Sequence, residues 1–115
     1  MGALATAVVL LVALLHIGFL VLEMVLWRKP LGRKVFKTRD DFARDSQAMA
    51  ANQGLYNGFL AAGLIWAVIG AKVDVAVFFL VCVVIAGVYG AVTISRIILF
   101  VQAAPAALAL LLIAL

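Results

Sequence analysis

From residue 75 to residue 115 the chain is apolar for about twice the length needed to cross a bilayer, and its only charged residue there is Arg96, in TISR (93–96). A second uninterrupted run covers residues 3–22, and a third follows the polar stretch at 50–57. Runs of this length, apolar on every side, have no soluble core to enter. With 69% hydrophobic and 12% charged residues, the chain stands far from a soluble domain, which is about 45–50% apolar and about 25% charged. The composition predicts an integral membrane protein. The expected fold is all-α: a four-helix transmembrane bundle, one domain over residues 1–115, with spans at about 3–27, 48–71, 75–92 and 97–115. A tight turn is expected at TISR. The first run is not expected to be a cleaved signal peptide, since it lacks a positive start, is too long, and is interrupted by Glu23 near its far end. The lone thiol, Cys82, forms no internal disulfide and reads as inert packing.

Charge predicts the orientation. Arg28, Lys29, Arg33, Lys34, Lys37, Arg39 and Arg44 fall in one connection, whereas the next carries Lys72 balanced by Asp74, and the last carries Arg96. Positive residues mark cytoplasmic loops, so loop 28–47 is expected in the cytoplasm and both termini outside, in what reads as a bacterial plasma membrane. The basic loop is short, joins two spans and has no stacking-aromatic pattern, which argues against nucleic acid as a partner. Within it, Pro30 and Gly32 are expected to break the first helix, and Asp40 or Asp41 to cap a helix that runs on into the second span. Val35, Phe42 and Met49 recur at heptad spacing, an apolar stripe suited to the headgroup boundary.

Polar residues inside a span are costly and face protein rather than lipid. Counting at 1.5 Å per residue from the cytoplasmic end near Trp27, Glu23 lies roughly 6 Å deep and His16 roughly 16 Å deep. Seven residues apart, they share one helix face. Asn52 and Gln53 of the second span fall level with Glu23, Tyr56 and Asn57 reach toward His16, and Gln102 enters at the depth of Glu23. Three spans thus contribute a carboxylate, an imidazole, a phenol and four amides to one layer in the cytoplasmic half. Two readings stand side by side: a hydrogen-bonded clasp, and a ligand, ion or proton site. In the second, His16, Glu23, Asn52, Gln53, Tyr56, Asn57, Arg96 and Gln102 are the candidate residues. Glu23 is then either a neutral acid or one half of an ion pair with Arg28 or, better placed, Arg96. Ala50, Gly54, Gly58 and Ala62 form a small-residue stripe for close helix packing. Pro105 should kink the fourth helix. Trp27, Trp66 and Tyr89 read as interfacial or packing aromatics. One His and one Glu about 10 Å apart cannot share an ion, and no metal or cofactor motif is present.

LHIGFLVLEMVLW, GRKVF, NQGLYNGF, YGAVT and QAAPA together resemble a family of small bacterial four-helix membrane proteins, the domain of unknown function 1304. The resemblance covers nearly the whole chain and implies that His16, Glu23, Asn52, Gln53, Tyr56, Asn57, Gln102 and Pro105 are signature positions. It implies no activity. A fainter architectural likeness is to the membrane-associated eicosanoid and glutathione metabolism superfamily, whose second helix opens with a histidine, an asparagine and a glutamate. This chain has Asn52 and Asn57 there but neither of the other two. Small multidrug exporters share its length and the single first-helix carboxylate, but not the basic loop or the amides.

Three functional classes follow. The first is transport or permeation of a small solute or proton, with Glu23 as protonatable centre, His16 as relay and the amides as ligand contacts. The second is a membrane enzyme, or a protein binding a lipid, a thiol cofactor or another small molecule. The third is a structural or partner-binding protein. So short a chain makes a small pocket alone, so a homo-oligomer in the lipid bilayer is expected.

Overall fold

An apolar chain satisfies its backbone polar groups locally, and the local solution is the helix. The computed structural model describes Met1–Leu115 and is all-α, with six helices and no strand. In order these are α1 (Ala3–Met24), α2 (Pro30–Phe36), α3 (Asp40–Asp45), α4 (Gln47–Ile69), α5 (Val73–Thr93) and α6 (Ala104–Ala114), the last preceded by a π-helical segment, Leu99–Ala103. Two helices, α1 and α5, are both long and apolar enough to cross a membrane, each with mean hydropathy 2.7. The expectation of four spans is met on both counts by these two alone. The 23 residues of α4 have the length, but its amides lower its apolarity. Leu99–Ala114 is apolar but shorter.

The chain divides into two compact units. One comprises Met1–Leu15 and Leu60–Leu115, and the other His16–Phe59. The first holds the apolar core: Val9 and Val12 of α1, Leu64 of α4, Leu80 and Val83 of α5, and small Ala106 and Ala109 of α6. Alanines on α6 and glycines on α5 let backbones come close. A Cβ placed on Gly87 would lie 2.6 Å from the backbone nitrogen of Ala103 and 2.9 Å from its Cα. The connection from α4 to α5 is a Schellman closure: Lys72 N–H reaches Ala67 O at 2.8 Å and Ala71 N–H reaches Val68 O at 3.3 Å. Its left-handed residue is Ala71 (φ 52°), one position after the glycine that would adopt that conformation without strain.

Ahead of Pro105, where a kink is expected, the structure has a π-helical segment. Proline supplies no N–H to the carbonyl one turn back. The turn before it widens, and Ala104 N–H bonds to Leu99 O, five residues away.

The second unit corrects the reading of the basic loop. Pro30 does not end α1, which stops at Met24; it opens α2 as a first-turn proline. Neither Asp40 nor Asp41 caps the next helix. Arg39 occupies that position without a side-chain cap, and Asp41 Oδ1 instead accepts the neighbouring Phe42 N–H at 2.8 Å. That helix also stops at Ser46 (φ −98°, ψ 4°) before α4 begins. Val35, Phe42 and Met49 are all exposed, but they lie on α2, α3 and α4, so they form no single-helix stripe. Lys72, expected to balance Asp74, sits 5.9 Å above the Trp66 ring, while Asp74 accepts Val75 N–H.

Candidate functional site

The buried face of α1 can be read at helical spacing: Ala5, Val9, Val12, His16 and Glu23 are all buried. His16 is wholly buried and Glu23 is 5% exposed, so an imidazole and a carboxyl group occupy positions that an ordinary core would fill with aliphatics. The His16 ring meets Phe19 edge-on at 5.1 Å.

Glu23 is met from α4. Asn57 Nδ2 donates to Glu23 Oε1 at 2.5 Å, across 34 residues of sequence. Gln53, one turn earlier on α4, brings a second amide toward the same carboxyl group. The glycines make this reach possible. A Cβ on Gly54 would come within 2.7 Å of Met24 Cγ and 3.1 Å of Glu23 Cβ, and one on Gly58 within 2.6 Å of Leu20 Cδ1. Without side chains at these positions, α4 lies close enough to α1 for the short carboxamide of Asn57 to reach the Glu23 carboxyl group. No basic side chain of this unit pairs with Glu23. The expected alternative of an ion pair with Arg28 is therefore corrected: the partners are neutral amides, which offer N–H to a carboxylate or C=O to a protonated acid.

Asn52 and Tyr56 are not drawn into this cluster. They face outward and, with Ala48, Met49 and the edge of Gln53, line an open groove of about 520 Å³ along the first turns of α4. Tyr56 is 60% exposed, its ring edge-on to Phe59 at 5.6 Å. The small-residue stripe also turns with the helix. Ala50, Gly54 and Ala61 are buried, Gly58 is half-buried, and Ala62, the expected last member, is exposed. The true spacing is that of a 3.6-residue helix rather than a strict four. Arg96 and Gln102 belong to the other unit. Arg96 is exposed in the turn after α5 and forms no ion pair, and Gln102 is half-buried within the π segment.

One feature carries no signal in the sequence. Trp27 Nε1 donates to Ser46 Oγ at 3.1 Å, and that hydroxyl donates onward to Phe42 O at 2.7 Å. The indole also packs against Phe36 at 4.9 Å, and buried Gly32 lies against the backbone of Leu26 and Trp27. The end of α1 is thus tied to α2 and to the α3–α4 junction, close in sequence to Glu23. A tryptophan after an apolar run reads as an interfacial anchor, and only the fold brings Ser46 to it.

Residues 10–114 match the model of a family described as protein of unknown function (DUF1304). The chain is also similar to the uncharacterized protein YpaA of Lactococcus lactis subsp. lactis (strain IL1403), at 31% identity over 105 residues covering 88% of each chain. No solved structure matches.

Proposed function

The chain belongs to the DUF1304 family, and on that footing we propose that it is a small integral membrane protein that moves a proton or small solute through a protonatable centre at Glu23. The observation that carries this reading is a nearly inaccessible carboxyl group on a 22-residue apolar helix, paired with amides and with no cation of its own unit. A clasp between two helices is complete with two amides; a carboxyl group adds the capacity to gain and lose a proton. Asn57 and Gln53 can partner both states, so the group titrates without leaving its partners. His16, on the same buried face, is the relay toward the far side. The expected topology accompanies the proposal: four spans in a bilayer, loop 28–47 cytoplasmic, termini outside, and a homo-oligomer joined through small-residue faces such as the exposed Ala62.

Glu23→Gln tests it. The variant keeps the shape and an acceptor for Asn57, so the clasp survives while the titrating group is lost. Reconstituted in liposomes with a pH-sensitive dye inside, the native chain should show pH-dependent flux and the variant should not. Equal flux from both would remove Glu23 from the mechanism.

A second reading has its own observation. Asn52, Gln53 and Tyr56 open outward beside Met49 rather than into an enclosed space, which suits a protein that binds an amphiphile at its surface. Lipid extracted from the purified native chain, and missing from Asn52→Leu/Tyr56→Leu, would favour it.

A further inference from the structure

Three of the basic side chains in the 28–47 connection are already spoken for. Arg33 pairs with Asp40 at 4.0 Å, Arg39 with Asp41 at 3.5 Å and Arg44 with Asp45 at 3.5 Å. Arg28 and Lys29 have no such partner, and they are adjacent. They lie in the turn that joins the 22-residue apolar helix α1 to α2, where a spanning helix would emerge into headgroups. Together with Gln47 they line a surface groove of about 310 Å³ whose remaining walls are Met24, Val25 and Trp27. One side of this groove is two cations and a carboxamide, and the other is apolar. The apolar side is exposed rather than collapsed, since Met24 is 42% and Val25 61% accessible. Its back wall is fixed, because the Trp27 indole is anchored to Ser46 and Phe36. Gln47 is the first residue of α4, so the positive end of a 23-residue helix dipole lies beside the cations.

We propose that this groove at the end of α1 holds an anionic phospholipid, its phosphodiester between Arg28, Lys29 and Gln47 and its acyl chain along Met24, Val25 and the Trp27 ring. A phosphodiester oxygen accepts from guanidinium, ammonium and amide N–H together, and a chain attached to it must continue along apolar surface. The groove offers these two surfaces side by side. The inference rests on the membrane reading above but is independent of Glu23 chemistry.

Trp27 supplies the reporter. The chain has two tryptophans, so Trp66→Phe leaves Trp27 alone. In phosphatidylcholine nanodiscs, its quenching is compared for brominated phosphatidylglycerol and brominated phosphatidylcholine at equal mole fraction. Two cations near a lipid surface are expected to enrich the anionic lipid on the order of tenfold at this site. Quenching should then saturate at a correspondingly lower fraction of the brominated anionic lipid. Arg28→Gln/Lys29→Gln should remove the difference, whereas Lys34→Gln/Lys37→Gln, which removes the same charge elsewhere in the loop, should keep it. Equal quenching by both lipids in the Trp66→Phe chain overturns the proposal. So does equal loss in both double variants, which would mean diffuse attraction, and so does full relief of quenching by millimolar inorganic phosphate, which would mean a free-anion site. Failure of the membrane reading itself shows separately, as a chain released from native membranes by alkaline carbonate.

Discussion

Gly87 and Gly18 offer the same substitution in opposite surroundings. Replacing a helical glycine by alanine gains about 1 kcal/mol from reduced backbone freedom. At Gly18 a new Cβ meets nothing within 4 Å, so that gain should appear almost intact. At Gly87 the Cβ would lie 2.6 Å from Ala103 N, 2.7 Å from its Cβ and 2.9 Å from its Cα. None of these atoms is the end of a flexible side chain, so α5 and the π segment must separate. Overpacking of this kind costs about 1–3 kcal/mol. Subtracting the shared gain, Gly87→Ala should lose about 0–2 kcal/mol against the native chain, and the two variants should differ by about 1–3 kcal/mol. Far-UV circular dichroism during unfolding in mixed micelles of increasing dodecyl sulfate fraction reads this directly. A Gly87→Ala chain as stable as Gly18→Ala would refute the claim that α5 and the π segment are in backbone contact there.

Asn57→Leu should destabilise by about 1–3 kcal/mol in the same unfolding series, because it leaves the buried Glu23 carboxyl group short of a donor, while Glu23→Gln should stay within about 1 kcal/mol of native. Ala71→Gly should stabilise by roughly 0.5–1 kcal/mol, since glycine adopts the left-handed conformation of that residue without the Cβ penalty; an unchanged or lower unfolding midpoint would contradict this.

The class of the fold was legible because long apolar runs admit one backbone solution. The inward face of α1 was legible because 3.6-residue periodicity places Val9, Val12, His16 and Glu23 together before any partner is known. The partner helix was harder. Counting Ala50, Gly54, Gly58 and Ala62 as a strict four-residue stripe drifts off the true face, and Ala61 takes the buried position instead. Amide content alone did not separate Asn57, which turns to Glu23, from Asn52, which faces outward: they lie within two turns of one helix, and only the crossing of α1 and α4 decides. The loop misled for a different reason. α2 and α3 have seven and six residues, too short for periodicity to register, and both lack a side-chain N-cap. The Trp27–Ser46 bond spans 19 residues and depends on a chain reversal that local propensity does not encode.

The widened turn at Leu99–Ala103 has a consequence for how this chain tolerates change in length. A π turn is, in effect, an α-helix carrying one surplus residue. Losing one residue between 99 and 103 would let the turn tighten to α geometry while the helical phase of Ala106 and Ala109 is kept. A single-residue gap at this place between related chains would therefore mark the removal of a bulge, with the core of α6 left in register.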